Sequence, residues 1–291
     1  MASQILIFHC GPMKTGSTAI QDLLTEQRDN LLKMGISYHH VRAKNLIQHV
    51  SRILDKEELT QSKIILLSSE FFSQVNPDLL KPILDPYQFQ EKHAISVARP
   101  LRDLYPSLYL QNLKGSSMRT TSLNDFINLQ IISDQHPETR RVGQIMNFQY
   151  LDNRLSELGF LTHWMMYNRQ SLLHDFLNLI SALSGISLLT IDRVHRRPPA
   201  GTSPRRSLRM EVSGIARLVN FLTKRSWLTS RQRELILTAL LNLSDLLNRT
   251  FPRKQCLTTN TCKKCDLLDK KINHRFLISK GLPASSFTSC N

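Results

Sequence analysis

Hydrophobic and polar positions along the first half of the chain switch repeatedly between two periods. Residues 4–8 form a short apolar run of the buried-strand kind, and residues 17–34 then place Ile20, Leu23, Leu24, Leu31 and Leu32 near helical spacing. Residues 63–69 and 92–98 read as a second and a third strand, and residues 101–114 as a further helical stretch. His93, at the start of the third strand, is expected to face water. Pro77, Pro82 and Pro86 break the connection after the second strand into short turns. A helix over 145–158, a fourth strand over 160–167, a helix over 170–184 with one face of Leu172, Leu173, Phe176, Leu177 and Ile180, and a closing strand over 188–191 complete the pattern. Such alternation predicts a three-layer α/β fold, a central parallel sheet with helices on both faces.

The pattern then changes. Residues 196–206 (RRPPAGTSPRR) predict an irregular, mobile connection able to close over a ligand, and amphipathic helices are expected over 207–224 and 229–249. The last forty residues show no clear periodicity, and no internal repeat is present. A length of 291 residues suits one large α/β domain over 1–250 that includes a helical C-terminal portion, followed by a tail over 251–291 to which no element is assigned.

Composition narrows the class. No apolar stretch approaches the roughly 20 residues of a membrane-spanning helix, and the run at residues 5–8 is too short, and lacks a preceding basic segment, for a signal peptide. Five cysteines, an odd number clustered late, fit a reducing compartment. The expectation is a soluble, cytoplasmic protein without a membrane partner. Net charge is +15, and the second half is the basic half: residues 151–291 hold 22 of the 38 Lys/Arg against 9 acids. Between Arg193 and Arg233 stand eleven basic residues and one acid, Glu211, a surface that attracts anions by summed field. The pair Cys262 and Cys265 is half of a zinc knuckle that Cys256 or His274 could complete, but no second pair at the usual spacing follows, so no metal is expected.

The strongest chemical signal is HCGPMKTGST over residues 9–18, between the first strand and the first helix. A loop there can wrap backbone N–H groups around an anion and aim a helix N-terminus at it. Gly11 and Gly16 allow close backbone approach, Thr15, Ser17 and Thr18 add hydroxyls, and Lys14 supplies a point charge. A nucleoside-triphosphate loop of the Walker type shares the glycine spacing, but Ser17 occupies the place of its lysine, which here sits three residues earlier. The second strand ends Leu66-Leu67-Ser68-Ser69-Glu70, without an aspartate to organise magnesium.

At this loop the sequence resembles the sulfotransferase superfamily, closest to the soluble family whose loop reads roughly G-x-x-K-T-G-T-T-S-I-Q; the run from Gly11 to Gln21 departs from it only mildly, at Ser17 and Ala19. The resemblance spans roughly residues 5–250 and implies a P-loop-like three-layer fold similar to nucleotide kinases. It also implies a donor, 3'-phosphoadenosine 5'-phosphosulfate, with Gly11, Lys14, Thr15, Gly16, Ser17 and Thr18 at its 5'-phosphosulfate and no metal required. It places a 3'-phosphate site at Arg99, which ends the third strand, and Ser107, eight residues on, although Pro106 departs from the pattern. A strand-end arginine and a serine two helical turns later can converge on one phosphate.

Acceptor activation calls for a general base near Lys14. Glu70 ends the second strand, where open α/β sheets bind ligands, and matches the strand-end glutamate that resembles the base of carbohydrate sulfotransferases. Its bland alternative is a helix N-terminal acid that complements the dipole. His9 is the competing base, or else a positioning or core histidine. Downstream, His195 stands where related proteins carry an asparagine, and Arg205 and Arg206 are candidate anion contacts. The expected reaction is sulfuryl transfer to a hydroxyl or amine acceptor, with small molecules and glycans, anionic ones included, as candidates and nucleic acid disfavoured. Two rivals are an ATP- and magnesium-dependent phosphotransferase and a non-catalytic polyanion-binding protein, the latter drawn from the basic second half.

Overall fold

A computed structural model describes residues 4–42, 45–56, 62–114, 120–138, 145–188, 191, 212–250 and 259–283. The chain divides into two compact units, one of Met1–Arg99, Gly143–Arg196 and Asp269–Thr288, the other of Pro100–Val142, Arg197–Leu268 and Ser289–Asn291.

The first unit is built on five parallel strands, β1 (Gln4–Gly11), β2 (Ile36–His40), β3 (Ile64–Ser68), β4 (Phe89–Ala98) and β5 (Leu161–Met166), in the order β2-β3-β1-β4-β5. Period-two alternation sends β1 side chains to opposite faces. Leu6, Phe8 and Cys10 pack with α3 (Leu46–Leu54), α4 (Pro77–Leu84) and α7 (Phe148–Glu157). Ile7 packs on the other face with α1 (Ser17–Glu26), α2 (Arg28–Lys33) and α8 (Leu172–Ser184). The result is the three-layer α/β fold with a central parallel sheet that the alternation predicts.

Several details differ from the sequence reading. The helix expected over 17–34 is two helices, interrupted at Gln27. β2 was not expected: with Ser37, His39 and His40 three of its five residues are too polar to stand out, yet it pairs with β3 from Ile36↔Ile64 onward. Of the closing strand expected over 188–191, residues 189 and 190 lie outside the described residues, and neither Leu188 nor Ile191 belongs to the sheet. Leu188 accepts a hydrogen bond from the Ile191 N–H at 3.0 Å, and both side chains bury with α8. His93 is buried, since β4 begins at Phe89, and its ring bonds Glu91 at 2.8 Å and His163 at 3.1 Å.

The second unit contains α5 (Leu101–Lys114), α6 (Leu123–Gln135), α9 (Ser213–Lys224) and α10 (Ser230–Thr250). Buried polar ties fix it: the Tyr105 hydroxyl donates to Asp134 at 2.6 Å, and Asn220 donates to the Leu113 carbonyl at 3.1 Å. Two helices, α11 (Thr259–Ile272) and α12 (His274–Ser279), occur in the region left without elements. In the first unit Phe276 and Leu277 of α12 pack against Ala98, Phe148 and Trp164. The Arg196–Arg206 connection lies outside the described residues.

Candidate functional site

In a parallel sheet all strand C-termini share one edge, and here that edge gathers the chemistry. The chain leaves β1 for β2 and β3 on one side, then crosses to β4 and β5 on the other, so β1 ends at the switch point where open α/β sheets bind ligands. The loop over 11–16 follows β1 there, with Glu70 just beyond β3 on one side and Arg99 just beyond β4 on the other.

Local conformation accounts for the glycines. Gly11 has φ +87°, and a Cβ on it would lie 3.1 Å from Glu70 Cα and 3.3 Å from the Glu70 carbonyl oxygen. The loop root and the Glu70 backbone are therefore in direct contact. Gly16, at φ +90°, is the N-cap of α1, and a Cβ there would stand 2.2 Å from Leu172 Cδ2 and 3.2 Å from Tyr167 Cε2. Lys14 takes a positive φ of 67° without being glycine, a conformation that side chains disfavour.

The hydroxyls of the loop divide their work. Thr15 donates to the Pro12 carbonyl at 2.6 Å and Ser17 to the same oxygen at 3.3 Å, and both side chains are buried. These two hydroxyls brace the loop internally. Thr18 is half-buried at the start of α1, and Gly16 contributes no side-chain cap there.

Arg99 is fastened to the loop. Its Nη1 donates to the Lys14 carbonyl at 2.8 Å, and its guanidinium carbon lies 4.8 Å from the centre of the Tyr167 ring, a cation–π contact. The Arg99 Nε is buried and has no hydrogen-bond partner among the described residues. Tyr167 thus links Arg99 to Gly16, a role sequence reasoning missed. Its only signal was its place at the end of the fourth strand, where the Tyr167 N–H extends the ladder to Ala98 O at 2.8 Å.

Ser107 lies half-buried in α5 of the second unit, and that helix runs on to Lys114 with Pro106 inside it. In the same unit Arg102 pairs with Asp266 at 3.6 Å. His195, Arg205 and Arg206 lie outside the described residues, as do Cys256 and Cys290. Cys262 and Cys265 sit three residues apart on α11, and no cluster of three or more metal-ligating side chains occurs among the described residues.

His9 is fully buried in β1, with its ring edge-on to Phe176. Its Nδ1 lies 2.8 Å from the Ser68 hydroxyl, which also accepts from Gln21 at 3.3 Å. The other ring nitrogen, Nε2, has no hydrogen-bond partner among the described residues. Desolvation, assisted by the nearby His40, lowers the His9 pKa to about 3. Because this is below its unfolded value, the stability it confers is complete above about pH 6.5 and is lost progressively as pH falls towards 3, when the unfolded chain binds a proton that the folded one refuses. Burial lowers His39 and His163 in the same direction. Thermal unfolding followed between pH 7 and 4 should show the midpoint falling with acidification, and His9→Asn should flatten that slope by its own share.

No protein-family model and no curated protein matches the chain.

Proposed function

We propose that this protein transfers the sulfuryl group of 3'-phosphoadenosine 5'-phosphosulfate to a hydroxyl or amine acceptor. The observation that carries this reading is the binding of the Arg99 guanidinium to the Lys14 carbonyl, which holds a second cation against the lysine loop at the sheet's switch point. A donor with a phosphosulfate at one end and a 3'-phosphate at the other calls for two such centres. With Nη1 engaged by the loop, Arg99 still has its partnerless Nε, and a phosphate oxygen is the acceptor that a guanidinium edge takes most strongly.

In the reaction the acceptor oxygen or nitrogen attacks sulfur in line, the bond from sulfur to the bridging phosphate oxygen breaks, and the acceptor proton passes to Glu70. Backbone amides of residues 15–18 hold the 5'-phosphate, and Lys14 neutralises the charge growing on the leaving oxygen. Glu70 takes the base role in preference to His9 because Glu70 is half-buried beside the loop root, whereas His9 is sealed in the core. Products are the sulfated acceptor and 3'-phosphoadenosine 5'-phosphate. A carbohydrate acceptor follows from the resemblance of Glu70 to the base of carbohydrate sulfotransferases; the chain's +15 charge favours an anionic one.

Calorimetric titration tests the donor. 3'-Phosphoadenosine 5'-phosphate should bind without magnesium and about tenfold to a hundredfold more tightly than AMP, the worth of charge-assisted hydrogen bonds to one phosphate. Equal affinity for the two nucleotides, or a preference for ATP with magnesium, overturns the reading.

A further inference from the structure

Helix α9 buries Ala216, Val219 and Asn220, the side by which it joins its own unit. Its opposite face is also apolar: Ile215, Leu218 and Phe221 are 50%, 56% and 42% exposed, at the spacing that lines one side of a helix. The turn that follows presents Trp227, 73% exposed. Cations stand among these groups. Lys224, Arg225 and Arg231 are all exposed, and the Arg225 guanidinium lies 5.6 Å from the Phe221 ring centre, at the end of the apolar stripe. Residues 212–233 contain no acid; the first is Glu234 on α10. Arg233 is not part of this surface, because its guanidinium turns inward to Asn220 and to the carbonyls of Leu113 and Lys114.

We infer that the outer face of α9 and the Trp227 turn form a docking surface for an anionic lipid bilayer. A flat-lying helix with aliphatic and aromatic side chains towards the acyl region and lysine or arginine at headgroup level gains from both apolar burial and anionic charge. Tryptophan favours that boundary because its ring is apolar with one polar edge. A polyanionic glycan would satisfy the cations but offers no apolar layer for Leu218 and Phe221. Among the described residues no helix is long and apolar enough to cross a membrane, so the contact is with the surface. The expectation of no membrane partner rested on the lack of a crossing segment, which does not bear on a helix lying in the interface.

The test uses the full-length protein with vesicles of phosphatidylcholine alone and with a third of that lipid replaced by phosphatidylserine. Tryptophan emission reports directly, because the chain has two tryptophans and the other, Trp164, is buried and bonded to Asp152 at 2.8 Å. The protein should sediment with the anionic vesicles, with emission shifted to shorter wavelength, and should ignore phosphatidylcholine alone. Combined Leu218→Ser and Trp227→Ser changes should lower partitioning by about tenfold or more while leaving the thermal midpoint and circular dichroism unchanged. Absence of binding to the anionic vesicles, or equal binding to both kinds, overturns the proposal. So does heparin binding that competes with vesicles and survives the two serine substitutions, which would assign the surface to soluble polyanions.

Discussion

Replacing Lys14 by alanine is expected to lower sulfuryl transfer by about a hundredfold to a thousandfold, the loss typical of removing one preorganised group that meets charge developing in the transition state. The charge on the leaving phosphate oxygen grows only as the bond to sulfur breaks, so turnover should fall far more than affinity for 3'-phosphoadenosine 5'-phosphate, which lacks the transferring group. Folding should be spared. Lys14 holds φ at +67°, and alanine meets the same conformational penalty there as lysine. Lys14→Gly is the informative companion: it relieves the penalty, raising stability by up to about 1 kcal/mol, yet should be as inactive as the alanine variant. Release of 3'-phosphoadenosine 5'-phosphate from the donor, with a phenol, an amine and a simple sugar offered as acceptors, measures the rate. Retention of most activity by both variants would leave Lys14 with no chemical role; absence of turnover in the unsubstituted protein would instead favour a polyanion-binding protein, whose interaction would fall with salt and ignore position 14.

What could be read from the sequence is what is local. The loop over 11–16 announces itself because its glycines, its lysine, the strand before it and the helix after it are consecutive, and Arg99 because it ends an apolar run. The roles that escaped depend on contacts between distant segments. Tyr167 matters through a ring that touches Arg99 and crowds Gly16, 68 and 151 positions away. The reading of Thr15 and Ser17 as ligand-facing hydroxyls could not foresee that the Pro12 carbonyl would take both. His9 was legible as a competing base or as a positioning or core histidine, and what decides for the core is Phe176 of α8, far along the chain, whose ring stands against it. α12 was invisible for a related reason: it is six residues long, its apolar residues Phe276, Leu277 and Ile278 are consecutive and show no helical period, and its partners Ala98, Phe148 and Trp164 come from three other elements. The sheet order is likewise a tertiary result, yet it alone places Glu70 and Arg99 on either side of Lys14.

Gly11→Ala should uncouple the two halves of the proposed reaction. A methyl at this position meets the Glu70 backbone at 3.1 and 3.3 Å, closer than ordinary contact, and neither side can yield by turning a rotamer. Either the loop root or the Glu70 backbone must move by a few tenths of an ångström, and with it the distance from the base to the donor loop. Transfer rates are sensitive to such displacement, with losses of about a hundredfold for roughly an ångström, so a fall in turnover of about tenfold is expected. The substitution also carries the penalty of an L-residue at φ +87°, about 1–2 kcal/mol. Gly185→Ala separates the two effects, since Gly185 has φ +67°, caps α8, and would place its methyl against nothing within 4 Å. Urea unfolding should show both variants destabilised, Gly11→Ala the more, while turnover falls only in Gly11→Ala. Nucleotide titration then identifies what moved: unchanged affinity for 3'-phosphoadenosine 5'-phosphate with lowered turnover means that Glu70 was displaced, as its base role requires. Full turnover in Gly11→Ala would mean that the position of Glu70 does not govern the rate, and the acceptor's proton would have to leave by another group.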